Sequence, residues 1–212
     1  MRARLSPSGP FDGTMSPTST PGSPASPLRV GIIVGSTRPG RKAEAVARWV
    51  YEIAKQRSDS QFEIVDLHEY HLPFLDDPVP PSAGRPHPSH AQAWADKVAS
   101  LDAFVFVTPE YNHSTSGALK NAIDYLYGEW NNKSAGFVSY GSVGGVRAVE
   151  HLRLIMAEVQ VATVRAQVWF SILADFENYT VFKPTEGKEK SLTTMLDQLV
   201  AWGRALKGVR AA

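Results

Sequence analysis

The sequence contains no cysteine. That absence excludes disulfides, thiolate nucleophiles, iron–sulfur clusters and cysteine-bound zinc, so any redox chemistry has to come from a bound cofactor. Charge of one sign is also scarce: 22 Lys and Arg stand against 21 Asp and Glu, a formal net charge of +1. No global field draws such a chain to nucleic acid or to an anionic membrane, and charge can act only locally. No apolar run approaches the roughly 18 to 20 residues that span a bilayer, and the first residues lack the apolar stretch of a secretory signal. A cytoplasmic location with neither nucleic-acid nor membrane partners is the expectation. What is present is an ordinary globular composition, 43% hydrophobic and 10% aromatic over 212 residues, enough for one domain with a well-buried core.

Residues 1–27 are dominated by Ser, Pro, Gly and Thr, which bury too little apolar surface to offset the entropy of ordering. A disordered tail is expected there, with Met15 as an alternative start, and residues 28–212 form the domain. From Leu28 short apolar runs alternate with helical periodicity, the pattern of repeated βα units around a parallel sheet. Five strands are expected, at Arg29 to Gly35, Phe62 to Leu67, Ala103 to Thr108, Ala135 to Tyr140 and Thr163 to Phe170. Apolar on both parities, they suit strands covered on both faces. Helices are expected where apolar residues recur at i, i+3, i+4 and i+7: Val46 to Ile53, Ala91 to Val98 and Leu119 to Leu126,. Two more run from about Val146 to Val159 and from about Glu189 to Leu206. Right-handed crossovers then give a three-layer α/β/α sandwich, with strand order 2-1-3-4-5 chosen over 3-2-1-4-5. The connection from His68 to His90 is long, and its prolines argue against a helix or inner strand within it; it is expected to wrap the surface.

In an open parallel sheet, ligands bind beyond the carboxyl ends of the strands where the order reverses, here between the first and third strands. Three loops rich in Gly, Ser and polar residues meet at that edge: GSTRPGRK from Gly35, TPEYNHSTSG from Thr108 and SYGSVGGVR from Ser139. The first suits a phosphate monoester. It opens into a helix whose N–H groups and dipole attract an anion, with Ser36 and Thr37 as small donors and Arg38, Arg41 or Lys42 as cations. A solvated basic turn is the alternative. The string of a P-loop is absent, and Thr37 stands where a dinucleotide fingerprint requires its second glycine. A mononucleotide with a planar ring remains. Flavin mononucleotide (FMN) is the one that performs redox chemistry with no cysteine, metal or Schiff base. Pro109, Tyr111 and backbone N–H groups from Glu110 to Asn112 can receive its ring, and the glycines of the third loop allow close approach.

With GSTRPGR, TPEYNHSTSGALKNAIDYL, EWNNKSAGFVSYG and GGVRAVEHLR in that order, the chain resembles the NADPH-dependent FMN reductase family of the flavodoxin-like fold, from about Val30 to Phe170. The resemblance implies noncovalent FMN, NADPH or NADH as electron donor, and a small acceptor such as a quinone, an azo compound, a free flavin or chromate. It also implies a homodimer or homotetramer. Carried over by position, Ser36, Arg38 and Arg41 lie around the FMN phosphate, Pro109, Glu110, Tyr111 and Asn112 along the ring and ribityl chain, and Tyr140, Gly141, Ser142 and Gly145 in the third loop. Many members have serine near the position of Arg41, a departure in this chain.

The implied reaction is hydride transfer from NAD(P)H to the flavin followed by delivery to the acceptor, with no side chain required as a proton-transfer catalyst. A flavodoxin-type electron carrier or a flavin-binding redox sensor is the alternative. His113 abuts the flavin loop, where turn hydrogen bonding or interface packing is expected of it. Glu110 is expected to cap backbone amides or to pair with a basic group across a dimer. Trp49, Trp94 and Trp169 are expected in the core. Trp130, in a polar loop, is expected at a partner surface.

Overall fold

A computed structural model describes residues 27–211. The tail expected over residues 1–27, Met15 included, lies all but wholly outside the described residues. Five parallel strands, β1 (Leu28–Val34), β2 (Ser60–Asp66), β3 (Ala103–Pro109), β4 (Lys133–Gly141) and β5 (Val161–Ser171), form one sheet in the order 2-1-3-4-5. The helices are α1 (Ala43–Ala54), α2 (Ser89–Ala99), α3 (Gly117–Asp124), α4 (Val146–Glu158) and α5 (Lys188–Ala211).

Strand alternation sorts the core into two halves. Val30, Ile32 and Val34 of β1 and Val105 and Val107 of β3 pack with α1 and α5. Ile33, Phe104 and Phe106 point the other way, to α2, α3 and α4. The central strands are therefore apolar on both parities, as the sequence suggests. Strands β2 and β5 are edges and only partly buried, which corrects the expectation that all five are covered on both faces. The registers of β4 and β5 slip between Ala135 and Phe137. There the Arg153 guanidinium donates to the Val164 carbonyl at 2.8 Å and the Arg165 carbonyl at 3.2 Å, satisfying groups the irregular pairing leaves over,.

Trp130 is in the core, not at a partner surface. The chain turns after α3 and folds its ring among Trp94, Phe104 and Phe106, with the indole N–H donated to the Ile123 carbonyl at 3.2 Å. Trp94 is buried as expected and Trp49 packs edge-on against Phe170. Trp169 is the reverse of Trp130: it sits on edge strand β5 and is 46% exposed.

The long connection holds two single 3-10 turns, Leu67–Tyr70 and Pro81–Ala83. The second starts on a proline, where a missing N–H costs nothing, so the prolines exclude a longer helix but not one turn. Asn121 pins this strap by accepting from Leu75 N at 2.9 Å and donating to the Pro73 carbonyl at 2.6 Å. A two-stranded ribbon, β6 (Phe176–Glu177) with β7 (Val181–Phe182), was not expected. Helix α5 runs five residues beyond its expected end at Leu206 because Lys207 and Arg210 reach Asp102, at 3.1 Å and 2.5 Å, tying its last turn to the sheet.

Candidate active site

At the carboxyl end of the sheet the three loops interlock. Gly35 closes β1 by donating to the Val107 carbonyl at 2.8 Å. A Cβ there would lie 2.8 Å from that carbonyl and 2.9 Å from Leu119, so only glycine lets the loop turn off against β3 and α3,. Ser116, the N-cap of α3, accepts from Leu119 N at 3.1 Å and also donates to the Gly35 carbonyl. The first two loops are thus joined at their bases.

Their tips are joined as well. Ser36 Oγ and Tyr111 Oη are 3.0 Å apart, Arg38 N lies 3.4 Å from Ser36 Oγ, and the Arg38 guanidinium stands 6.0 Å from the centre of the Tyr111 ring. The Tyr111 segment is a two-residue turn. Tyr111 N donates to the Ser114 carbonyl at 2.9 Å and Ser114 N returns to the Tyr111 carbonyl at 3.2 Å. Asn112 and His113 between them both have positive φ, +49° and +77°, the pattern of a tight hairpin turn that Asn tolerates best. Glu110 N and Tyr111 N are therefore already committed, to Tyr140 and Ser114. Of the three N–H groups expected to face a flavin, that leaves Asn112.

Glu110 pairs within its own chain. Its carboxylate accepts from Arg147 Nε at 2.6 Å and from Arg147 N at 3.1 Å, capping the start of α4. Its side chain is only 5% exposed. The expected capping and cationic partner are both present, but the partner is not across a dimer. In the third loop Gly144 and Gly145 have φ of +81° and +72°, and Ser139 Oγ donates to the Gly144 carbonyl at 2.7 Å. Ser142 is exposed and Gly141 is buried, close to Glu110. Behind the turn lies Trp169, with the Lys188 ammonium 3.7 Å from its ring centre.

Between the first two loops and the end of β4 is a cavity of about 160 Å³ lined by Arg38, Arg41, Lys42, Tyr111, Tyr140 and Ile172, together with the Pro39–Gly40 turn. Its chemistry suits an anion. Lys42 at the N-cap of α1 supplies no side-chain cap, so the first N–H groups of that helix are free of side-chain partners. Arg41 is partly buried, and its Nε, shielded from solvent, has no hydrogen-bond partner. The Tyr140 hydroxyl approaches Ser36 and the Ala43 backbone without completing a bond to either. Burial pushes its pKa well up, and the neighbouring Tyr111 adds to this, so it is a neutral donor,. A bound phosphate monoester would satisfy these donors, and the residues present fit the FMN phosphate. A larger cavity of about 400 Å³ lies across the same loop, lined by Thr37, His68, His71 and Asn121 among others. It contains no Arg or Lys, which makes it the poorer anion site.

The structure thus brings Arg38, Arg41, Tyr111 and Tyr140 around one cavity, with Ser36 joined to it through Tyr111; Pro109 ends β3, and Glu110 and Gly141 lie side by side in the second and third loops. Asn112, Ser142 and Gly145 belong to the adjoining turns, and His113 stands 6.1 Å from His151, ring to ring, outside the cavity. Sequence reasoning missed Ile172 and Asp66. Their signal was position, since both sit at the carboxyl ends of strands, β5 and β2. Among the described residues no group of three His, Asp or Glu side chains could hold a metal ion, and no helix is long and apolar enough to cross a membrane.

Comparison with known proteins gives the chain's relatives. The chain is 40% identical over 127 residues to an NAD(P)H-dependent FMN reductase of Schizosaccharomyces pombe, a match covering 59% of this chain and 64% of that one. It is 35% identical over 133 residues to an NAD(P)H:quinone oxidoreductase of Solanum tuberosum, covering 60% and 66%. The matches thus span just under two thirds of each relative. The flavoenzyme NAD(P)H:(acceptor) oxidoreductase FerB of Paracoccus denitrificans has the same flavodoxin-like fold, with a TM-score of 0.65 at 24% identity over 84% of this chain and 98% of that one. Residues 28–175, which hold the whole sheet and all three loops, match the family model outright, and the chain belongs to the NADPH-dependent FMN reductase family.

Proposed function

We propose that this protein is an FMN-dependent oxidoreductase that takes electrons from NADPH or NADH and passes them to a small oxidised acceptor, a quinone or a flavin. The observation that carries the reading is the cationic cavity at the uncapped start of α1, tied through Ser36 and Tyr111 to the loop beside it. Bound FMN would supply the redox chemistry, the exchange of two electrons between the nicotinamide donor and the acceptor. The chain's own residues bind and orient. Ser36, Arg38, Arg41 and the first N–H groups of α1 hold the phosphate, and the Tyr140 hydroxyl donates beside it. Pro109, Tyr111 and Asn112 flank the ribityl chain and ring, and the turn from Gly141 to Gly145 lets the ring approach backbone. Glu110 positions that turn through Arg147 and has no catalytic duty.

A cytoplasmic homodimer or homotetramer completes the proposal. It is supported by apolar side chains left on the surface, Phe74 at 88% and Leu154 at 75% exposed, which a second copy would cover,. The functional test is direct. The purified protein, titrated with FMN, is expected to quench flavin fluorescence to a clear end point. Under anaerobic conditions NADPH or NADH then bleaches the yellow complex, and addition of a quinone restores its colour. A protein that binds no FMN at saturating concentration would falsify the reading.

A further inference from the structure

We propose that Asp66 is a positioning residue for the phosphate end of this site: it fixes the Arg41 guanidinium, and so sets the preference for FMN over the unphosphorylated flavin. The inference rests on the function proposed above. Arg41 has a long, flexible stem, which must be immobilised before it can present a donor at a set place. The immobilising group is visible. Arg41 Nη2 lies 2.6 Å from Asp66 Oδ2 and 2.6 Å from Glu44 Oε1. The Arg41 side chain is 9% exposed and that of Asp66 18%, whereas Glu44 is largely solvated. Asp66 is thus the inner anchor, and its carboxylate is itself fixed. It ends strand β2, and its second oxygen accepts from His68 N at 3.0 Å. With Nη2 held by the carboxylates, the Nε of Arg41 remains without a partner in a residue that lines the anion cavity.

Two effects of Asp66 oppose each other. Its charge repels an incoming phosphate, while its hold on Arg41 presents a partly buried, ordered cation to it. If only repulsion operated, removing the carboxylate would tighten FMN binding; if positioning dominates, removal weakens it. Charge-assisted bonds at short range outweigh a more distant like charge when the cation is ordered and desolvated, so weakening is expected.

Dissociation constants for FMN and for riboflavin, read from flavin fluorescence, are to be compared for the wild-type protein, D66A and D66N, with the ligand-free melting temperature as the control for folding. D66A is expected to bind FMN about ten- to a hundredfold more weakly with riboflavin unchanged. D66N keeps a single oxygen for two donors, Arg41 Nη2 and His68 N, which bond different oxygens of the carboxylate, and is expected to bind FMN more weakly than wild type but more tightly than D66A. Tighter or unchanged FMN binding by D66A overturns the proposal, because the carboxylate then only repels. Equal losses of FMN and riboflavin overturn it as well, because Asp66 then merely supports the fold. If D66A does not fold, R41K replaces it. Lysine keeps the charge but lacks the fork, and the same selective loss of FMN is expected, with undiminished FMN affinity counting against the proposal. Failure of the wild-type protein to bind either flavin is a separate result, which removes the proposed function itself.

Discussion

Ser36 Oγ lies 3.0 Å from Tyr111 Oη, a single bond across 75 residues of sequence that joins the loop after β1 to the loop after β3. The two loops flank the point where the strand order reverses, so their spacing is the width of the site. Loss of one neutral hydrogen bond costs about 1 kcal/mol. Y111F keeps the ring beside Arg38 and removes only this bond, so FMN is expected to bind about fivefold more weakly. A fluorescence titration giving the wild-type constant would show that the bond does not set the spacing.

The second prediction concerns Glu110 and Arg147. R147A leaves a nearly buried carboxylate with only the backbone N–H at position 147 to satisfy it. A cost of about 1–2 kcal/mol is expected, a fall of several degrees in melting temperature for a domain of this size. The double variant E110Q/R147A removes the stranded charge and is expected to recover part of that loss. If the double variant is less stable than R147A, the carboxylate is being held by something other than Arg147.

Acid stability should depend on Asp102 at the opposite end of the sheet. Burial alone would raise its pKa, but the Arg29 N–H, Lys207 and Arg210 outweigh it and hold the carboxyl below its ordinary value. A carboxylate depressed in the folded state stabilises the fold above its unfolded pKa of about 4, and that contribution is lost as pH falls through the folded value. D102N is therefore expected to be less stable than wild type near neutrality. It should also lose less stability between about pH 5 and pH 2. Parallel acid limbs for the two proteins would refute the staple.

Much of the architecture was legible because both faces of the central strands are covered, and this writes Val, Ile and Phe runs into β1 and β3. The loops of the site were legible for a related reason: topology fixes where they meet. What the sequence concealed depends on contacts distant along the chain. Trp130 and Trp169 exchanged their expected roles because a short turn after α3 folds one inward, while an edge strand leaves the other half in solvent. Neither event has a local pattern. The commitment of Glu110 N and Tyr111 N to other carbonyls was equally hidden, since it depends on the pairing of β3 with β4 and on the Asn112–His113 turn. Asp66 was passed over because one carboxylate inside an expected strand carries no signal of its own until its partner Arg41 is placed.

The last prediction separates backbone conformation from crowding. Gly40 and Gly145 have nearly the same positive φ, +68° and +72°, yet their surroundings differ. A Cβ at Gly40 meets nothing within 4 Å, whereas one at Gly145 would stand 2.8 Å from Tyr140 N, 2.9 Å from the Tyr140 carbonyl and 2.9 Å from Ser139 Cβ. Those neighbours include the backbone of β4, which cannot retreat without disturbing the sheet. G40A should pay the left-handed strain alone, about 1–2 kcal/mol. G145A carries the same strain plus the forced displacement of β4, for an expected total of about 3 kcal/mol or more. Denaturant melts of the two variants measure the difference, and FMN titration extends it to function. G40A should still fold, while G145A should lose flavin binding more than its stability loss alone explains, because the displaced strand carries Tyr140, which lines the cavity. Equal destabilisation in the two variants would mean that the third loop yields freely, and that its glycines are not there to bring the backbone close to the flavin.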